Sequence, residues 1–157
     1  MIYYLNNAGL DELKKRRKEN LKIFIGFPLF FIAYLCLSYI SMRGSLFFWA
    51  SLPIFLLLFV FIGIISPTIA AKKFGKVISK LTFEDSRINL STEKVNFIKG
   101  KTINILDTDY ELAESKSIQY GNGKTSGLII KTKGSGEYFL IEIFFDEFEE
   151  IKNRMKR

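Results

Sequence analysis

The sequence predicts a two-helix transmembrane hairpin followed by a small α+β domain, mainly of antiparallel strands, closed by a C-terminal helix. Three observations carry that expectation. No side chain is charged from Ile23 to Met42, nor from Gly44 to Ala71, and Arg43 alone interrupts the two runs. From Leu81 onward the apolar residues tend to alternate, as in half-buried strands. The closing DEFEEIKNRMKR returns to helical spacing, with acids in its first turn and bases in its last.

Residues 1–22 form a basic N-terminal segment. IYYL reads as a short extended start, and a polar helix follows from about Ala8 with nothing to stop it entering the next element. The apolar runs come next, at 23–42 and 46–66 within a hairpin of 23–66, with SMRGS as the turn. Each run reaches the roughly 20 residues that a helix needs to cross about 30 Å of hydrocarbon. Nine of the 16 phenylalanines fall in these runs and no polar face is left. A helix that is apolar all round belongs in a large core or in lipid, and 157 residues do not supply a large core. A cleaved signal sequence would be shorter and would not be followed at once by a second span. Pro28 and Pro53 lie early in their spans, where neighbouring helices tolerate a kink. Ser66-Pro67 is expected to end the second span, leaving 67–80 as a basic juxtamembrane linker or exit helix.

Charge placement gives orientation. The net charge of +7 sits on the membrane flanks, with +3 on residues 1–22 and +4 on residues 67–80. Residues 81–157 carry a net −1. An excess of Lys and Arg beside the spans places both termini in the cytoplasm and the short turn outside. Lys14, Lys15, Arg16, Arg17 and Lys18 on one flank, with Lys72, Lys73, Lys76 and Lys80 on the other, are therefore candidate contacts to anionic headgroups. Such contacts are worth on the order of 1 kcal/mol per basic residue near the surface. A nucleic-acid partner is not expected, because the folded part lacks an excess of positive charge. Cys36, the one cysteine, lies in the first span, so no disulfide forms within the chain.

Within 81–157, LTFED and RINLS are strand-like runs meeting at Asp85-Ser86. GKTINILDTDYEL alternates, with Ile103 and Ile105 on one face. GLIIKTK and EYFLIEIF are the strongest strands, joined by the Gly-rich turn from Lys133 to Gly136. Phe139, Ile141 and Ile143 are expected to share a face of the last strand. In the closing helix Asp146 and Glu149 suggest a capping box, and Phe148, Ile151 and Met155 form the single apolar stripe.

The stretch YGNGKTSG contains Gly123-Lys124-Thr125, the tail of a phosphate-loop signature. That signature requires a glycine at 118, where Ile118 stands, and a helix after the threonine, where the strand GLIIKT follows. Asn122-Gly123 instead marks a type I′ hairpin turn. The loop then leaves only Lys124 as a possible contact to an acidic partner or headgroup. No histidine is present, which removes Ser-His and Cys-His chemistry and histidine metal sites. Asp107, Asp109 and Glu111 could share a strand face near Glu114, but a row of acids without the glycine and spaced ligands of a calcium loop is ordinarily a solvated face. No catalytic residue, cofactor or metal is expected, and the chain reads as a non-enzyme.

A basic N-terminal helix, a two-span hairpin, the exit KKFGKVISKLTFEDSRINLS and the ending FFDEFEEIKNRM together resemble bacterial membrane proteins of the YcxB-like type. The resemblance covers nearly the whole chain. It implies a pleckstrin-homology-like cytoplasmic domain (a small barrel with a C-terminal helix) and a bacterial inner-membrane location. This sequence departs from the pattern in lacking a Trp in the central strands, and in having Ile143-Phe144-Phe145 where Pro-Lys would precede the closing helix. The function expected is that of a membrane-anchored protein whose domain binds a protein partner or anionic lipid at the inner surface. An immunity or inhibitor protein acting against a membrane-active toxin is the alternative.

Overall fold

The computed structural model describes residues 1–42, 45–106, 108–120, 123–134 and 136–156. The chain divides into two compact units: one holds residues 17–71, and the other joins residues 1–16 to residues 72–157. The turn residues Arg43 and Gly44 lie outside the described residues.

Helix α1 (Asn7–Met42) runs for 36 residues without a break, as the absence of Gly or Pro between Leu10 and Ile25 permits. Helix α2 (Leu46–Phe59) starts on Ser45, whose side chain accepts from the Phe48 amide. A π-helical segment (Val60–Ile65) and helix α3 (Ser66–Phe74) follow directly. Both helical stretches are long and apolar enough to cross a membrane. Between residues 17 and 71 the helices pack through aromatic rings. Phe31 stacks on Phe59 at 4.7 Å between centroids, and Phe27 lies 6.4 Å from each of them. Tyr34 meets Phe55 edge-on, and Tyr39 meets Phe48 in the same way. The opposite faces leave Phe30, Leu37, Ile40, Phe47 and Leu57 each about two-thirds or more exposed. Contiguous apolar surface of that kind suits hydrocarbon rather than water.

Past Ser66-Pro67, the expected end of the second span, the chain stays helical to Phe74, as the exit-helix reading of residues 67–80 allows. Pro67 has no N–H, so the turn before it loses a donor. The chain widens there, with the Ser66 amide donating to the Phe61 carbonyl, and then continues as α3. Gly63 permits this wider turn to approach α1, because a Cβ there would lie 3.0 Å from Cδ1 of Phe27. Asn20, buried on α1, donates from Nδ2 to the Pro67 carbonyl at 2.9 Å. This satisfies a polar group that apolar surroundings would otherwise penalise.

In the other unit, β1 (Ile2–Tyr4), β2 (Ile78–Glu84), β3 (Arg87–Thr92) and β4 (Thr102–Leu106) form one antiparallel sheet in that order. Strands β5 (Tyr110–Tyr120), β6 (Gly123–Thr132) and β7 (Gly136–Ile141) form a second. The two sheets meet where Val77 bridges Phe139 in parallel, and they form two separate ladders rather than one closed sheet. The turn at Asp85-Ser86 stands as expected between β2 and β3. Ile105 is buried opposite Ile88, and Ile103 faces Leu90.

Residues 1–22, expected to be a separate basic segment, are divided by the structure. The sequence offers an extended start but no partner for it; the partner is β2, with Ile2 opposite Thr82, Tyr3 opposite Leu81 and Tyr4 opposite Lys80. Asn6 then serves both ends of the unit. Its Oδ1 accepts from the Gly9 amide and so caps α1, while its Nδ2 donates to the Ile143 carbonyl and to Asp146. Gly9 is needed here, because a Cβ would fall 2.9 Å from Cβ of Phe144. The folded domain is therefore residues 1–16 with 72–157, not 81–157 alone.

Near the C-terminus two local expectations change. Strand β7 stops at Ile141 and a 3-10 turn (Glu142–Phe144) breaks the alternation. As a result Tyr138, Leu140, Ile141 and Phe144 are buried, whereas Ile143 is 63% exposed. Helix α4 (Phe148–Met155) has no side-chain cap, because Asp146 is engaged by Asn6 rather than by its own helix. Its stripe of Phe148, Ile151 and Met155 is buried as expected. The helix links both sheets: Tyr3 donates its hydroxyl to Glu150 at 2.7 Å, and Tyr110 donates to the Met155 carbonyl at 2.8 Å.

Candidate functional site

The expected basic contacts are placed by three different elements. On α1, Lys14, Lys15 and Lys18 are exposed, and Lys14 stands 3.8 Å from Asp11. Arg16 is half-buried and its Nε donates to Glu12 at 2.7 Å, so part of its charge is spent within the helix. Arg17 is also half-buried. On α3, Lys72 and Lys73 are exposed in the last turn, where they also complement the helix C-terminus. Lys73 reaches Gln119 at 3.4 Å. Lys76 lies exposed in the turn before β2. Lys80 is in strand β2 rather than in a linker, with its ammonium 5.2 Å from the ring centre of Tyr4. That position suits a cation–π contact on the outer face of the sheet.

Two of these residues, far apart in sequence, come together. Arg16 and Lys124 line one open groove of about 410 Å³, with Glu12 and Thr125 beside them and Ile141 and Phe144 below. With Glu12 counted, the rim carries a net single positive charge above an apolar floor. Lys124 itself stands in β6, opposite Gln119. The residues of the hairpin tip, Gly121 and Asn122, lie outside the described residues. Their neighbours Tyr120 and Gly123 pair directly, which puts Gly123 in strand β6 instead of the turn. A strand, not a helix, follows Lys124, so the geometry of a phosphate loop is absent from this hairpin.

Asp109 and Glu111 are the described members of the acidic row. Asp107 lies outside the described residues, Asp109 stands in the bend before β5, and Glu111 is on β5 opposite Lys131. Among the described residues no group of three or more His, Cys, Asp or Glu is placed to hold a metal ion. Glu114, farther along β5, is engaged by Lys152 of α4 and by Lys156, which caps that helix. Hydrogen bonds from Lys156 and then Lys152 hold its carboxyl below the usual range. This cluster fastens the helix to the second sheet.

An aromatic this close to the N-terminus reads from sequence as interfacial or lipid-facing, but Tyr3 belongs to the core of the domain. It is 4% exposed, and its ring meets Phe83 edge-on. Burial and the hydrogen bond to Glu150 push its hydroxyl up to about 12. The β3–β4 connection, residues 93–101, went unmarked, because its sequence EKVNFIKGK carries no familiar signature. No protein-family model, curated protein or solved structure matches the chain.

Proposed function

We propose that this chain is a non-enzymatic protein anchored in the bacterial cytoplasmic membrane by two spans, with a pleckstrin-homology-like domain that engages anionic headgroups at the inner surface. One observation carries the reading: the domain is assembled from chain on both sides of the apolar hairpin. If residues 23–42 and 46–66 cross the bilayer, the two flanks must emerge on the same side for β1 to pair with β2. Lys14 and Lys15 from one flank then share a compartment with Lys72, Lys73 and Lys76 from the other. The excess of basic residues makes that compartment the cytoplasm. Two antiparallel sheets with a C-terminal helix laid across them support the pleckstrin-homology-like and YcxB-like assignment.

The lysines act by attraction rather than by a shaped pocket, so specificity for anionic over zwitterionic lipid is the property to test. Native mass spectrometry of the full-length protein released from mixed-lipid micelles measures it. Phosphatidylglycerol should be retained in preference to phosphatidylcholine, and Lys72→Gln with Lys73→Gln and Lys76→Gln should reduce that preference by about fivefold or more. Equal retention of both lipids by the unaltered protein would defeat the headgroup part of the reading. A protein found bound in its place would move the partner from lipid to polypeptide.

A further inference from the structure

We propose that the β3–β4 connection is a second membrane contact, in which Phe97 enters the interface of an anionic bilayer and three lysines of the same loop meet its headgroups. Outside the helical unit, Phe97 is the most exposed large apolar side chain among the described residues, at 75%. A single exposed apolar residue is common and by itself means little. What distinguishes Phe97 is how firmly the backbone presents it.

The loop is closed twice. At its base the Thr92 amide donates to the Lys101 carbonyl at 2.8 Å, and the Lys101 amide donates to Thr92 Oγ1 at 3.1 Å. Gly100 makes that closure possible, since a Cβ there would lie 2.4 Å from the Thr92 carbonyl oxygen. Near its tip Val95 and Ile98 exchange both backbone hydrogen bonds at 2.9 Å. Val95 is 1% exposed and pins this inner turn to the core. Asn96 adopts a left-handed φ of 52°, which asparagine tolerates better than most residues. The turn is thus a stiff knuckle with Phe97 on its outer side.

Charge decides what the knuckle fits. Lys94, Lys99 and Lys101 are all exposed and lie within four positions of Phe97 in the chain, and Glu93 is the single acid between Thr92 and Thr102. An exposed aromatic on a loop with three exposed lysines matches a bilayer interface, where the apolar body sinks to the acyl boundary and the cations stay among phosphates. A protein partner would have to offer an apolar pocket with an acidic rim; an anionic membrane offers both over its whole surface, and this chain carries two helices suited to one. The proposal rests on the domain lying at the membrane surface.

The test uses the full-length chain with Trp49→Phe, which removes the only tryptophan, and Phe97→Trp as reporter. It is reconstituted in vesicles of phosphatidylcholine containing about one third phosphatidylglycerol, with bromine on the upper acyl carbons. Emission from position 97 should move to the blue and lose most of its intensity to bromine. Both changes should be largely lost in pure phosphatidylcholine, and also when Lys94, Lys99 and Lys101 are each replaced by Gln. Ile69→Trp, at the exit of the second helix, is the control. Quenching at 69 without quenching at 97 overturns this proposal and leaves the membrane-anchored reading intact. Quenching at neither position overturns both. A blue shift at 97 without bromine quenching means that the ring is buried against protein, which also overturns the proposal.

Discussion

Tyr3 and Asn6 do most to tie the N-terminal chain to the domain, and each acts through a specific polar contact. Asn6 spends its side chain on the α1 cap and on the turn that replaces the end of the last strand. Tyr3 joins β1 to α4 through Glu150, and its ionised form is disfavoured by burial first and by that hydrogen bond second. The consequence for pH follows in sign. The folded-state value, about 12, lies above the ordinary 10, so the stabilisation is fully present below pH 10 and is lost as pH rises through 12. Tyr3→Phe should cost about 1.5–3 kcal/mol at neutral pH, the usual range for a hydrogen bond to a charged group. The gap between the two proteins should narrow from pH 10 to pH 12 in thermal unfolding followed by near-ultraviolet circular dichroism. A gap that stays constant over that range would mean that Tyr3 does not hold its proton in the way described.

The elements differ in how well local pattern foretells them. The apolar runs, the Asp85-Ser86 turn, the β6–β7 hairpin and the stripe of α4 are legible because each is signalled within one short stretch, whereas GKTINILDTDYEL, which alternates as one run, is divided between β4 and β5. The partner of β1 is not, since three residues carry no register and their pairing is with chain more than seventy positions away. The exit helix is one of two readings that the sequence leaves open; the π segment before it is not legible, because the wider turn that absorbs the donor missing at Pro67 leaves no mark in the sequence. Ile143 shows the limit of alternation, which predicts a buried face until the 3-10 turn rotates the chain by a step. Among site residues, the basic flanks were legible from charge counting alone. The meeting of Arg16 with Lys124 and the rigid display of Phe97 depend on tertiary structure. The pairing of β1 has a direct consequence. A fragment starting at Pro67 lacks one strand of the first sheet and the Tyr3 ring from its core, so it should not behave as a folded domain. Deleting residues 1–5 from the full chain should raise the rate of proteolysis within 78–106 by about tenfold or more, because truncating a buried aromatic alone costs about 3–5 kcal/mol. Unchanged protection in that region would show β1 to be dispensable.

At the scale of the whole molecule, the chain starts a domain, leaves it for two apolar helices and returns to complete it. The first sheet cannot be finished until the second helix has been made. If both helices cross a bilayer, every later strand forms on the side where residues 1–16 were left. The arrangement also sets what the basic flanks can do, because lysines from before and after the hairpin belong to one folded body. The most direct test is the sidedness of the two flanks and the turn. In a Cys36→Ser background, single cysteines at Lys15, Leu46 and Asp85 are exposed to a membrane-impermeant maleimide in intact cells and in inverted vesicles. Lys15→Cys and Asp85→Cys should react only in inverted vesicles, and Leu46→Cys only in intact cells. Labelling of Lys15→Cys and Asp85→Cys from opposite sides would contradict the account, because β1 could not then reach β2.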